Sequence, residues 1–285
     1  MKKKNILLAT ILLGTALGTT SCDDANTISI CASEVPHAKI LNEVVKDILK
    51  EKGYKLKVRV IDWTIQNDAV ASGDYYANYF QHIPYLNLYE GETKLAPACK
   101  VHYEKLCLYA KDVNHKEIVN GDKIEIVDDI SNIERALKLL EDNNILTINE
   151  SNYDENGDFK NFNTSDPNSC VTFKDEYKNC SLTCIKEAFL CASLPDYNFG
   201  VIPGNTALTG LGNDYTERIV FGENPSAETI SEKANIICVK EENLYNAKTV
   251  ALVESFADSR VSTYISTTFG SSVTYAYESL ISLEK

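Results

Sequence analysis

The chain has 285 residues, 44% of them hydrophobic, and a formal charge of −13 at pH 7. That length accommodates two lobes of ordinary domain size, each able to bury its own core. An acidic chain without a basic stripe disfavours nucleic acid and anionic lipid as partners, because phosphate binding needs clustered cations.

Met1-Lys2-Lys3-Lys4 followed by the apolar run Ile6 to Gly18 reads as a secretory signal peptide, too short to span a bilayer comfortably. Without the three lysines the basic count falls from 28 to 25 against 41 acids, a mature charge of about −16. The run closes on Thr19-Thr20-Ser21-Cys22, which resembles a bacterial lipobox with Thr19 where Leu is usual. Lipidated at Cys22, an exported chain would be held at the outer face of a bacterial membrane, several acyl chains giving a stable anchor.

After a short tether, Thr27 to Ala32 reads as a buried strand, and Ile40, Leu41, Val44, Val45, Ile48 and Leu49 fall on one face of a helix that Gly53 stops. Leu56 to Ile61 predicts a strand, Gln66 to Ser72 a short helix and Tyr75 to Asn78 the next strand. This βαβαβ order implies a parallel sheet with ligands beyond the carboxyl ends of its strands. A second unit has a strand at Lys123–Val127 and a helix from about Asn132 to Asn143, opened by an S-x-x-E capping box of Ser131 and Glu134. Strand-like connectors at Tyr103–Ala110 and Ala234–Val239 flank that unit, so the chain is expected to cross between lobes twice. A helix over about Leu244 to Asp258 would return to the first lobe.

Asn152 to Asn168 is a polar surface hairpin or loop. Its Asp154, Asn156 and Asp158 imitate a calcium loop, but Gly at position six and Glu at twelve are missing, so a solvated turn is expected. Besides Cys22 there are eight cysteines, four of them clustered (Cys170, Cys180, Cys184 and Cys191) without a C-x-x-C pair. Disulfides or buried reduced thiols are expected there rather than a metal site.

No catalytic motif is found, and no catalytic residue, metal or cofactor is expected. Two features suggest binding. Gly73 to Leu86 takes a strand into a helix at the place where open α/β sheets bind ligands, and carries Asn78, Phe80, His82 and Tyr85. Taken alone, such a cluster is more often core than site. Arg135 sits in the first turn predicted for the capped helix, where a guanidinium and free backbone N–H groups together suit a carboxylate.

Three motifs then carry a resemblance: Ala32-Ser-Glu-Val-Pro-His-Ala38 with Gly53-Tyr54, Asn78-Tyr-Phe-Gln-His-Ile-Pro-Tyr-Leu86, and Asn132-Ile-Glu-Arg-Ala-Leu137. Over nearly its whole mature length the chain resembles the methionine-binding lipoproteins of methionine ABC importers, the NlpA/MetQ family. The resemblance implies an α/β, two-lobed periplasmic-binding-protein fold (type II-like) with two connecting strands and a ligand cleft between lobes. The lobes would comprise residues 23–106 with a return over 237–285, and residues 107–236. Arg135 would clamp the ligand's α-carboxylate, Asn205 and Asn235 would hold its amino and carboxylate groups, and Trp63, Phe80, His82 and Tyr85 would surround its side chain, with Asn132 a secondary contact. The implied partners are methionine, a permease with its ATPase and, through the anchor, a membrane; the implied state is a monomer.

The chain departs from that family in three places. Val127-Asp128-Asp129 replaces the usual Pro-Asn-Asp, Trp63 stands where Tyr is usual, and Asn152 to Cys191 fits the pattern poorly. Another neutral amino acid, the other methionine enantiomer or a short methionine-containing peptide therefore stay open as ligands. A surface lipoprotein acting in adhesion or as a structural antigen, and an enzyme on a binding-protein scaffold, are the alternatives of other classes.

Overall fold

The computed structural model describes residues 25–282, so Cys22 and the leader before it lie outside the described residues. The chain opens with β1 (Thr27–Ala32), whose near-continuous burial is the pattern of a strand covered on both faces. Helical turns at Glu34–Ala38 and Leu41–Val45, both π-wound, lead into α1 (Lys46–Glu51). Ile40, Leu41, Val45, Ile48 and Leu49 are buried as the periodicity predicts, each fully buried aliphatic contributing about 1.5–3 kcal/mol. Gly53, at φ 84°, turns the chain out of the helix in a conformation that costs glycine nothing.

β2 (Lys55–Val60), α2 (Gln66–Ser72) and β3 (Ala77–His82) complete the first unit, and β2 and β3 both pair in parallel with β1. The third strand begins later than predicted and runs through the whole Asn78–His82 segment. A one-turn helix α3 (Ile83–Leu86) and the long β4 (Leu95–Glu104) follow. Next come β5 (Leu106–Ala110), β6 (Lys123–Val127), α4 (Ile130–Asp142), a ribbon of β7 (Leu146–Ile148) with β8 (Val171–Phe173), β9 (Ser181–Ile185), α5 (Glu187–Ser193), β10 (Phe199–Pro203), α6 (Gly204–Gly210) and β11 (Ile219–Gly222). The chain ends with α7 (Ala227–Lys233), β12 (Asn235–Lys240), α8 (Ala247–Phe256), α9 (Ser259–Phe269) and β13 (Val273–Ser279).

These strands form two separate sheets, ordered β13-β4-β12-β3-β1-β2 and β11-β5-β10-β6-β9. In each, parallel pairs (β2-β1-β3 and β10-β6-β9) continue into antiparallel strands. Each sheet has its own apolar cluster, one centred on Ile28, Ile30, Tyr79 and Phe256, the other on Leu108, Ile126, Leu137 and Phe199. This is the two-lobed α/β fold of the periplasmic binding proteins, with a cleft between the lobes. α8 packs Ala251, Leu252, Val253 and Phe256 into the first cluster, as a returning helix should; α9 and β13 carry no signal in the sequence reading.

The chain crosses between sheets at Lys105, inside the predicted connector Tyr103–Ala110. The second predicted connector is corrected. Ala234–Val239 lies almost wholly within β12, an interior strand of the first sheet paired with β3 and β4, so the boundary placed after residue 236 falls inside a strand. A buried apolar run marks a strand but carries no record of which sheet it joins. The second crossing lies between β11 and α7, where the Glu223 N–H donates to Leu106 O at 2.9 Å and sets the two crossings side by side. Gly204, which opens α6, packs there too: a Cβ would stand 2.9 Å from Ser272 O and 3.1 Å from Lys105 O, both backbone atoms that cannot swing aside.

The Asn152–Asn168 segment is the expected irregular loop, exposed at its tip but anchored by the buried Asn152, Phe162 and Pro167. Tyr153 and Phe159 bridge across it, and Lys160 Nζ donates to Asp154 Oδ2 at 3.2 Å and Asp158 Oδ2 at 2.8 Å, so the acids of the calcium-like pattern have a lysine between them. All eight described cysteines are free thiols, six of them buried. Three of the cluster engage separate partners: Asn163 N–H donates to Cys170 Sγ, Cys180 Sγ to Val119 O and Cys191 Sγ to Thr206 O. No described helix is long and apolar enough to cross a membrane.

Candidate ligand-binding cleft

The side-chain wall grows from the end of β3. The buried amides of Asn67, Asn78 and Gln81 satisfy one another: Gln81 Nε2 and Asn78 Nδ2 donate to Asn67 Oδ1 at 2.7 and 2.9 Å, and Asn67 Nδ2 donates to Gln81 Oε1 at 3.0 Å. This network ties α2 to β3, and it makes Asn78 a structural residue behind the wall. At the strand's end His82 turns its Nδ1 to accept from Tyr85 N–H at 3.2 Å, which caps α3 and presents Tyr85 beside Trp63 and Phe80. The three rings meet edge to face, Trp63 with Tyr85 at 5.5 Å and Phe80 with Tyr85 at 5.7 Å, a favourable geometry for aromatic quadrupoles. Burial, followed by the nearby charges of Arg135 and Lys233, lowers His82 to about 3, so its ring is neutral in the physiological range.

Facing this wall is α4, whose start differs from the prediction. Asp129, not the Ser131–Glu134 box, caps the helix, accepting from Asn132 N–H at 3.1 Å and from Ser131 Oγ at 2.6 Å, while Glu134 pairs outward with Lys138. An aspartate that reaches the third N–H of its own helix satisfies an orphan donor as the serine box would, and it starts the helix two residues earlier. Arg135 therefore lies in the second turn, away from the free N–H groups expected beside it.

Its guanidinium is also already engaged. Nε donates to Glu223 Oε1 at 3.0 Å and Nη2 to Glu223 Oε2 at 2.8 Å, a two-pronged pair whose side chains are 11% and 14% exposed. Nη2 also reaches Tyr103 Oη and Glu104 O, and Nη1 donates to Asn132 Oδ1 at 3.0 Å. Glu223 Oε2 further accepts from Leu106 N–H at 2.8 Å and from the Tyr103 hydroxyl. One carboxylate thus joins both crossings to Arg135 and leaves only the Nη1 edge of the guanidinium for anything else.

The floor is a buried polar chain. The Tyr79 hydroxyl bonds His102 Nδ1, His102 Nε2 lies 2.8 Å from Glu104 Oε1, and His37 Nε2 lies 3.4 Å from the same oxygen and 3.0 Å from Asn235 Oδ1. These three groups are the described residues whose atoms come together as metal ligands would, yet the nitrogens and oxygen that face one another are spent in hydrogen bonds. Burial lowers His37 to about 4 and His102 to about 3 and pushes Glu104 up to about 7, the last partly countered by His37 and Arg135.

All eight predicted site residues, Trp63, Phe80, His82, Tyr85, Asn132, Arg135, Asn205 and Asn235, line one cleft of about 580 Å³. Both lobes contribute. Asn205, at the start of α6, donates from Nδ2 to Val35 O across the cleft at 3.4 Å. Of the acids before α4, Asp129 lines the cleft and Asp128 does not, although Asp128 acts electrostatically on the cleft residue Glu187. The sequence reading missed Glu104, Glu187 and His37, which line the cleft, and Glu223, which holds Arg135. His37 lies inside a motif that carried the resemblance, a signal that could have placed it; a lone glutamate after a short strand offers none.

A model of the NlpA lipoprotein family matches residues 28–277. The chain belongs to the NlpA lipoprotein family. Within that family it is 36% identical over 157 residues to the methionine-binding lipoprotein MetQ of Bacillus subtilis, a match covering 51% of this chain and 57% of that protein. The crystal structure of lipoprotein Tp32 from Treponema pallidum is 27% identical, with a TM-score of 0.74 over 88% of this chain and 99% of that one. A nutrient binding protein of Burkholderia cenocepacia bound to methionine has the same fold, at 24% identity and a TM-score of 0.75 over 87% of this chain and 99% of that one. Membership in a lipoprotein family agrees with the lipobox-like sequence at Cys22.

Proposed function

We propose that this NlpA lipoprotein is the substrate-binding component of an amino-acid ABC importer and that it holds methionine between its lobes. The observation that carries the reading is that one cleft is lined both by the aromatic residues Trp63, Phe80 and Tyr85 and by a polar end of Arg135, Asn132, Asn205 and Asn235. Aromatic edges suit a thioether, and the polar end suits an α-amino acid's backbone. Arg135 would meet the carboxylate through its Nη1 edge, helped by Asn235, whose Oδ1 is turned to His37 and whose amide N–H groups remain as donors. Binding would bias the lobes toward a closed form that docks on a permease served by its ATPase, the chain itself being tethered at the outer face of a membrane through Cys22. Nothing in the cleft needs to do chemistry for this.

Calorimetry of residues 23–285, unfolded and refolded to remove carried-over ligand, tests the reading against a panel of amino acids and methionyl peptides. Methionine should bind with 1:1 stoichiometry and should be preferred to alanine. Heats no larger than those of dilution across the whole panel would refute it. Anchoring is tested apart from binding: Cys22→Ser should shift the protein from the membrane pellet to the soluble fraction.

A further inference from the structure

We propose that Glu187 receives the ligand's ammonium group, so that the cleft selects for a free amine as well as for a carboxylate. This rests on the amino-acid-binding reading above and assigns to one end of the ligand a residue outside the predicted set.

Glu187 opens α5 on the second-lobe wall of the cleft. Its one protein hydrogen bond comes from Thr206 Oγ1, which donates to Oε1 at 2.7 Å. Oε2 has no protein partner and is not among the buried unpartnered atoms, so it is open to the cleft. Asn205 stands next to this oxygen pair through Thr206: its Nδ2 is directed to Val35 O, which leaves Oδ1, 3.3 Å from Thr206 Oγ1, as the acceptor it can offer.

His37 lines the same part of the cleft at 1% exposure, its Nε2 3.0 Å from Asn235 Oδ1 and 3.4 Å from Glu104 Oε1. Burial lowers its pKa to about 4, so the ring is neutral near pH 7 and sets no positive charge against an arriving ammonium. Glu104 interacts electrostatically with both His37 and Glu187, so the three groups belong to one region of the cleft.

Acceptors and donors are thus sorted along the cleft. Glu187 and Asn205 offer acceptors, whereas Arg135 Nη1 and the Asn235 amide offer donors, the division that a zwitterion's two ends require. Charge points the same way. Arg135 is neutralised by Glu223, while Glu104 and Asp129 line the cleft with Glu187, so among the described lining residues acids outnumber the cations. Burial, with those acids, pushes the Glu187 carboxyl up to about 7. An arriving ammonium favours the ionised form and expels the proton that Glu187 holds in part near neutrality.

The test is calorimetry with methionine and with its desamino analogue, methylthiobutanoate, on the full mature chain and on Glu187→Gln, which keeps the side chain's shape. The parent should prefer methionine, and the variant should lose about ten- to a hundredfold in methionine affinity while the analogue's affinity stays put, so that the preference collapses. Titrations at pH 7 in buffers of different ionisation heat should show more proton release from the parent than from the variant. Glu187→Asp should restore part of the preference, which a merely misfolded variant would not. A variant that keeps the parent's preference and proton release overturns the assignment and leaves methionine binding standing. A parent that binds no amino acid overturns the functional reading, and this assignment with it.

Discussion

Breaking the Arg135–Glu223 pair tests how the site is held as well as how it binds. Four hydrogen bonds converge on the Glu223 carboxylate, two from Arg135 at 3.0 and 2.8 Å, one from Leu106 N–H at 2.8 Å and one from the Tyr103 hydroxyl. With side chains 11% and 14% exposed, little water is available to replace a lost partner. Glu223→Ala leaves a buried guanidinium unpaired and should cost about 3–5 kcal/mol of stability, as should Arg135→Ala with its stranded carboxylate. At about 2–4 °C per kcal/mol for a chain of this size, each variant should melt roughly 6–20 °C below the parent. The double variant strands neither charge and should cost less than the two singles together, by about 1–3 kcal/mol. Urea unfolding of the parent and the three variants measures this coupling, and strictly additive losses would refute the pairing. Binding separates the partners: Arg135→Ala should weaken methionine about ten- to a hundredfold. Glu223→Gln, which releases the guanidinium from a full negative charge, should bind methionine at least as tightly as the parent despite a lower midpoint.

Other substitutions probe the wall and its supports. Trp63→Ala removes an edge-to-face contact with Tyr85 and part of the apolar surface, at least about 0.5–1.5 kcal/mol, so methionine should weaken about three- to tenfold or more while alanine is little affected; equal losses would place Trp63 away from the ligand side chain. Asn67→Ala leaves the amides of Asn78 and Gln81 short of a partner and should lower stability by about 1–3 kcal/mol in urea titration, a parent-like midpoint counting against the network. His82 has its folded pKa lowered to about 3 from an ordinary 6.5, so the unfolded chain takes up this proton first. Its contribution is complete above pH 6.5 and is lost as pH falls toward 3, with a slope of at most about 1.4 kcal/mol per pH unit. The stability gap between the parent and His82→Asn should shift against the parent on acidification from pH 7 to 4, and a gap independent of pH would contradict a buried neutral ring.

How far the sequence could be read depended on how local each feature was. The β1-to-β3 unit and α4 follow from periodicity within a dozen residues, and their predicted faces are buried as expected. The start of α4 was misplaced because two caps compete within three residues, and only the folded backbone shows that Asp129 reaches the Asn132 N–H first. The segment Asn78–His82, more often core than site by pattern alone, divides in the structure. Asn78 is framework, Phe80 and His82 line the cleft, and Gln81 does both. β12 shows the converse failure. Its buried run Asn235–Val239 was read as a crossing, although both of its edges are paired within the first sheet.

What the sequence by itself determined is the class of the chain: an acidic, two-lobed α/β protein whose motifs match one family in order, with eight residues that meet in one cleft. Helix faces, strand alternation and short motifs are properties of neighbouring residues, so they survive without coordinates. What only the tertiary structure decided is who holds whom. Arg135 meets Glu223 across 88 residues and His37 meets Asn235 across 198. Those contacts exist because the chain crosses between its sheets twice and the crossings lie side by side, bringing to one hinge acids and amides whose spacing along the chain carries no trace of the encounter. The structure thereby turns Arg135 from a free carboxylate clamp into one half of a buried ion pair with a single edge left for the ligand.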